Sequence, residues 1–288
     1  MKHTPSKKNG MKRHMRMISI LLVPVVALIL GAAAPELWAG DYDDEEIPFD
    51  VANLFFELND TDGDLGIHAL IDGEPWKRLE IEDPRERKML NVYVQGRLRR
   101  QGLTEFFFES AEPAFDELSP KRFFRRFPEG NYEIEGMTLE GEERESTVWL
   151  SHVMPAPPDG IQLSDMGIDL DIVDCENEVT VPSVDGTRPV TISWEAVAMS
   201  HPDSKGGGAG VQPPVPVTIR NYEVVVEVDV EMDGEEFTSK FSVILPPGET
   251  SMTIPAEFIA LGNEFKYEVL AREESFNQTA VESCFVLK

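Results

Sequence analysis

Basic residues are scarce. Against 53 Asp and Glu, the 288-residue chain sets only 26 Lys and Arg, for a net charge of −27. A surface that negative repels a phosphate polymer over most of its area, which excludes a general nucleic-acid binder. Cysteine is rarer still, and two residues cannot make a disulfide-rich scaffold. Catalytic signatures are missing too. There is no Gly-x-Ser-x-Gly elbow, no P-loop and no His-Glu-x-x-His pair. Beyond the leader, His68, His152 and His201 stand far apart. Two carboxylates can serve a glycosidase, but among so many acids some pair always lies at a suitable distance, so the count points to no enzyme.

Long apolar runs are confined to one place. Lys2, Lys7, Lys8, Lys12, Arg13 and Arg16 precede an apolar stretch from Met17 to Leu30 and the small residues Gly31 to Ala34. This is the layout of a secretory signal peptide over residues 1–39, with Leu37 and Ala39 before the cut at Gly40. The expected location is secreted or periplasmic. If residues 18–35 stay uncleaved they anchor the chain, and only then is a membrane its partner. Without the leader, 20 basic residues face 52 acidic ones, a net −32. Residues 40–50 read as a solvated acidic tail.

What is present is β-pattern. The 41 % hydrophobic content suffices for packed cores. From 51 to 154 the apolar residues alternate, as in Leu90, Val92, Val94 and in Val148, Leu150, and Asp62-Gly63, Asp72-Gly73 and Glu140-Gly141 supply turns. Leu54–Leu58 and Leu65–Ile71 make a hairpin around Asp62-Gly63. The exception is a short helix over 119–127. Ser119 caps it, Pro120 takes the first position, and Phe123, Phe124 and Phe127 share one side. Residues 155–178, opening on Pro155-Ala156-Pro157-Pro158-Asp159-Gly160, read as a linker. Further strands follow at Val190–Trp194, Tyr222–Val228 and Phe237–Leu245. A Gly- and Pro-rich surface loop, Ser200 to Pro216, interrupts them.

Several of these pieces stand in a known order. Val190-Thr191-Ile192-Ser193-Trp194-Glu195, Asn221-Tyr222-Glu223-Val224, Leu245 to Ile254 and Phe258 to Ala271 resemble strands B, C, E and F of a fibronectin type III domain. The likeness spans residues 179–288 and implies a β-sandwich with Trp194 in its core. Phe265 stands where that family has its corner tyrosine, so the corner must rest on apolar packing. Gly130 to Gly136 with Ser146 to Val153 is similar to the closing strand pair of bacterial immunoglobulin-like domains. The expected fold is all-β: two tandem β-sandwiches over 51–154 and 179–288. Cys175 and Cys284 fall near the first and last strands of the second, which implies either a disulfide or two buried thiols.

Three features are candidate sites. Asp60, Asp62 and Asp64 alternate as in the opening of a calcium loop, although Leu65 and Ile71 stand where an EF-hand needs Gly and Glu. Arg97, Arg99 and Arg100, and Lys121, Arg122, Arg125 and Arg126, form local basic groups. These are expected to pair with neighbouring carboxylates, the other reading being contact with an anionic glycan or lipid head group. The runs Phe55-Phe56, Phe106–Phe108 and Phe123-Phe124 are core, and any exposed member marks a partner surface. The function expected is a non-enzymatic binding or structural module, with an envelope or extracellular protein or glycan as partner and no cofactor. The alternatives are a glycan-active or glycan-binding accessory protein with a carboxylate site in the first domain, and a calcium-dependent adhesin.

Overall fold

A computed structural model describes residues 47–164, 166–175, 179–202, 213–232 and 234–288. The leader, most of the acidic tail and the middle of the 200–216 loop lie outside them. The fold is all-β with three short helices.

The first half holds β1 (Val51–Asn59), β2 (Asp64–Glu82), β3 (Lys88–Tyr93), helix α1 (Leu98–Gln101), β4 (Leu103–Glu109), helix α2 (Pro120–Phe124), β5 (Gly130–Thr138) and β6 (Glu143–Leu150). Period-two alternation sets their faces. Leu54, Phe56 and Leu58 of β1 lie opposite Ala69, Ile67 and Leu65 of β2, and all six are buried. Gly63 takes φ 71° at the hairpin turn, a conformation that suits glycine. There the Asn59 side-chain oxygen accepts from the backbone N–H of Thr61 and Asp62, at 3.0 and 3.2 Å.

β2 is long because it serves two layers. Its first part pairs with β1 and β4, then register shifts on either side of Trp76 carry it across to β3 and β5. Trp76 is fully buried at that bend, among Leu79, Ile81, Tyr132 and Ile134 of the first core. Helix α2 lays Phe123 and Phe124 on Phe56, with ring centroids 5.7 and 5.3 Å away.

The second half contains β7 (Gln162–Leu163), β8 (Met166–Gly167), β9 (Ser183–Val184), β10 (Thr191–Ser193), β11 (Ile219–Met232), β12 (Glu235–Leu245), β13 (Ser251–Thr253), α3 (Ala256–Ile259), β14 (Glu264–Glu273) and β15 (Gln278–Leu287). A small sheet ordered β13-β10-β7-β8 faces the strands β12-β11-β14-β15 across a second core. Trp194 sits in that core, edge-on to Tyr222 at 5.3 Å. The Tyr222 hydroxyl accepts from the Val197 N–H at 2.8 Å. Phe265 stacks on Phe285 at 5.0 Å, so this corner is held by apolar packing.

The expected linker is corrected in part. Ile161 and Leu163 are 1 % exposed within the second core, and β7 and β8 belong to the small sheet. The proline-rich stretch stops at Gly160, and the apolar alternation immediately after it is a strand.

The two cores share one sheet, which runs β12-β11-β14-β15-β1-β2-β5-β6. Its joint is a parallel pairing of β1 with β15: Glu57 to Gln278, Leu58 to Thr279, Asn59 to Ala280. Asn277, wholly buried, fastens the joint. Its side chain accepts from the Phe56 N–H at 2.8 Å and donates to the carbonyls of Ser151 and Val153 at 2.8 and 2.9 Å. The buried Thr279 hydroxyl donates to the Pro155 carbonyl at 2.8 Å. Residues 44–288 accordingly form one compact unit.

Asn277→Ala would leave the Phe56 N–H and two carbonyls without these partners inside the protein. Each buried group so orphaned costs about 1–3 kcal/mol. The expected outcome is a loss of roughly 3 kcal/mol or more in urea unfolding, with the single transition of the parent splitting into two as the halves uncouple. An unchanged midpoint would refute this role for Asn277.

Candidate functional site

Next to the joint, the outward face of the shared sheet gathers an imidazole and several carboxylates. Alternation puts Phe55, Glu57 and Asn59 of β1 on the side away from the core. Phe55 pairs with His68 and Glu57 with Gly66 of β2. His68 is 4 % exposed. Its Nε2 lies 2.9 Å from Glu112 Oε1, and its Nδ1 lies 3.6 Å from Glu57 Oε2. The Gln278 amide donates to that same Glu57 oxygen across the joint. Glycine at 66 leaves room for the Glu112 carboxylate, which a Cβ there would push off its place beside His68. The rings of Phe55 and Phe107 flank the imidazole at 5.4 and 6.2 Å.

Burial and crowding set the charges. Burial chiefly, with neighbouring carboxylates, pushes Asp64 up to about 6 and Glu268 up to about 8. Glu57 is also raised, burial outweighing the pull of His68. Burial works against a charge on His68, but the Glu112 hydrogen bond and the Glu57 and Glu112 carboxylates together hold it above its ordinary value. No nucleophile completes this group into a hydrolytic triad. The neighbouring Ser110 hydroxyl is occupied, accepting from the Ile67 N–H at 3.0 Å and lying 3.1 Å from the Ala111 carbonyl. The arrangement is an electrostatic lock between two strand pairs. Sequence reasoning missed Glu57, His68 and Glu112, because a lone His in an alternating strand carries no signal until β4 and its following loop fold over it.

The candidate calcium residues diverge. Asp60 turns to His201, whose Nε2 is 2.9 Å from Asp60 Oδ1, while Asp64 joins the carboxylates beside Glu112. Among the described residues no three His, Cys, Asp or Glu are gathered to hold a metal. Asp60 and Asp62 lie in the reversal between β1 and β2 while Asp64 opens β2, so the turn parts Asp60 from Asp64, and Asp62 acts on Asp64 through its charge. Cys175 and Cys284 are joined, with Cα atoms 5.8 Å apart. That bond closes a span of 109 residues, which in the chain-entropy view stabilises by about 5 kcal/mol.

The expectation for the basic groups is overturned. Among the described residues neither Arg97, Arg99 and Arg100 nor Lys121, Arg122, Arg125 and Arg126 form an ion pair. The one polar contact from these side chains runs from Arg125 Nε to the Lys121 carbonyl at 3.3 Å. The acids that do pair take other cations: Asp83 binds Arg87 at 2.5 and 2.9 Å, and Glu80 binds Arg78 and Lys88. Helix α2 is anchored by its phenylalanines, so its cations point to solvent. Arg126 borders a cleft of about 280 Å³ that Arg87, Lys88, Met89 and Phe127 also line. Of the phenylalanine runs, only Phe107 is substantially exposed, at 54 %.

No protein-family profile matches the chain, and no curated protein is similar to it in sequence. Solved structures from bacterial adhesion proteins do align. One comes from a 1.5-MDa bacterial ice-binding adhesin, at 9 % identity, covering 84 % of this chain and 66 % of that one, with TM-score 0.20. A second is a tetra-tandem repeat from the extending region of a large adhesion protein, at 11 % identity, covering 83 % and 50 %, with TM-score 0.22. A third is the BSP domain of a biofilm-associated protein, at 10 % identity, covering 82 % and 29 %, with TM-score 0.22. The chain thus spans between 29 % and 66 % of their lengths. Likeness at this level carries no argument about function, which rests on the residues themselves.

The raised groups make stability pH-dependent with a definite sign. In the unfolded chain Asp and Glu bind protons near pH 4, whereas folded Asp64 and Glu268 bind them near 6 and 8. Between those limits the folded state holds more protons, so stability rises as pH falls. His68, also raised, acts in the same direction. Thermal melts should move up by several degrees between about pH 8.5 and 5.5. Glu268→Gln should raise the melting temperature at the alkaline end and flatten that part of the profile, while Glu257→Gln on the exposed side of α3 should not. Identical profiles for both variants would refute the assignment.

Proposed function

We propose that the chain is an exported, non-enzymatic binding or structural module that works in the cell envelope or extracellular space. Its second half is of the fibronectin type III kind, and its first is related to bacterial immunoglobulin-like domains. The strand layout supports this reading: β13-β10-β7-β8 packs against β12-β11-β14-β15 as two layers, with Trp194 in the core between them. A leader over 1–39 supplies the export. Among the described residues no helix is long and apolar enough to cross a membrane.

The engagement of the histidines supports a non-catalytic role. His68 is held by Glu57 and Glu112, His201 by Asp60, and the His152 ring by the Phe127 carbonyl at 2.8 Å. Each serves as an internal tie. Rigidity supports it as well, since the β1–β15 joint presents two sandwiches as one body rather than as beads on a linker.

The test uses the chain from Gly40 onward. Incubated with a panel of envelope and extracellular polysaccharides, it should produce no cleavage, and from envelope extracts it should retain a protein or glycan. Turnover that disappears in Glu57→Gln or Glu112→Gln would replace this reading with a glycan-active enzyme. Retention of nothing would remove the binding role.

A further inference from the structure

The basic ridge of α2 runs against the character of the whole surface. Lys121 and Arg122 lie on the helix, and Arg125 at its C-cap and Arg126 in the following turn continue the same spacing one turn on. All four are exposed and, among the described residues, unpaired. The chain has 53 acids for 26 basic residues, yet none of these four cations has a carboxylate partner among the described residues. Three acids of the same half are engaged with other groups: Asp83 Oδ2 accepts from both Nε and Nη2 of Arg87, Glu80 holds Arg78 and Lys88, and Glu129 accepts from the His152 N–H at 3.2 Å. Arg126 continues the ridge into the cleft it shares with Arg87, Lys88, Met89, Phe127 and Tyr132, where the one carboxylate, Asp83, is already held by Arg87. The result is a narrow cationic strip, leading to a small concave site, on a chain of strongly negative net charge.

We infer that this strip binds an anionic polysaccharide, one carrying carboxylate or sulfate groups along its length, with Lys121, Arg122, Arg125 and Arg126 contacting successive charges and the cleft taking one sugar ring. This deepens the proposed binding role by naming its location and its partner class.

The shape of the charge distribution favours a single flexible chain over other anions. A membrane is a charged plane, and within a Debye length of about 10 Å it would also meet the surrounding carboxylates and be repelled by them. A membrane-docking helix also presents apolar side chains for insertion, but Phe123 and Phe124 are buried, and no large hydrophobic residue between Phe107 and Trp149 is exposed. A stiff nucleic-acid duplex faces the same repulsion as the membrane. A polysaccharide strand can follow the ridge alone and leave the acidic surface in solvent.

Residues 44–288 form one compact unit, so the experiment uses the chain from Gly40 and thereby removes the six Lys and Arg of the leader, which would bind any polyanion. Heparin and polygalacturonate are the anionic probes, and dextran is the neutral one. The parent chain should bind heparin or polygalacturonate at low salt and lose affinity steadily as salt rises, while dextran is not bound. Replacing Lys121, Arg122, Arg125 and Arg126 together by Ser should weaken binding roughly tenfold or more, because each lost contact removes a released counterion. Replacing Arg97, Arg99 and Arg100 by Ser removes three equally unpaired cations elsewhere and should leave affinity within about twofold, since a change in net charge alone acts weakly through screened solvent. All seven are exposed or outside the cores, and unchanged melting curves verify both variants. The inference is overturned if the ridge variant binds as the parent does, if both variants weaken equally, or if mixed phosphatidylglycerol–phosphatidylcholine vesicles bind the ridge while the polysaccharides do not. Heparin binding that fails while another envelope component is still retained sinks this inference and leaves the general binding role standing. Sedimentation covers the remaining occupant: a dimer that dissociates in the ridge variant would assign the strip to a second copy of the chain instead.

Discussion

The molecule depends on a short stretch of parallel pairing, Glu57–Asn59 against Gln278–Ala280. Parallel strands need a long crossover between them, and here the crossover is almost the whole protein. Closing that loop costs chain entropy which three residue pairs do not offset alone. The buried groups around the joint supply the rest. Asn277 satisfies one donor and two acceptors that would otherwise be sealed from water, and Thr279 does the same for Pro155. The carbonyls of Ser151, Val153 and Pro155 take their donors from Asn277 and Thr279, so the second half completes the first. The disulfide at Cys284 secures the same strand, β15, toward its far end.

Fusing the sheets has an electrostatic consequence. A strand face that would be solvated in a lone sandwich becomes the middle of a wide sheet, where Val225, Leu270 and Ala280 are buried at 6 %, 5 % and 0 % exposure. Carboxylates projecting there lose water, which is why Glu57 and Glu268 hold their protons more tightly than exposed acids do. Placing His68 between Glu57 and Glu112 partly compensates. The lock and the joint are therefore one construction, since the Gln278 amide that pairs with Glu57 comes from the partner strand.

What was legible in the sequence was local. The alternation of β1, β2, β5 and β11, the Asp62-Gly63 turn, and the Pro120 start of α2 each follow from residues a few positions apart. The joint was not legible, because Asn277 and Phe56 are 221 residues apart and nothing in either neighbourhood names the other. Ile161 and Leu163 were hidden by the prolines before them, whose stiffness reads as a spacer although it ends one residue before the strand pattern begins. The cations of α2 were visible as a candidate site, with pairing as the expected outcome. Pairing was the reasonable default in an acidic chain, and only the positions of Asp83, Glu80 and Glu129 show that their carboxylates are already engaged.

That last point bears on how an acidic protein can recognise an anion at all. Net charge sets the far field and slows the approach of any polyanion. Within a few ångströms, screening leaves only the nearest charges to matter, and there the outcome depends on which cations have been neutralised internally. A buried carboxylate such as Glu80, 1 % exposed and held near 2 by Arg78 and Lys88, consumes cations for the sake of the fold. A cation carried on a helix that is anchored by phenylalanines on its other side is consumed by nothing. The same aromatic packing that fixes α2 against Phe56 therefore keeps Lys121, Arg122, Arg125 and Arg126 available, and links the core of the first half directly to a part of its surface with positive charge to offer.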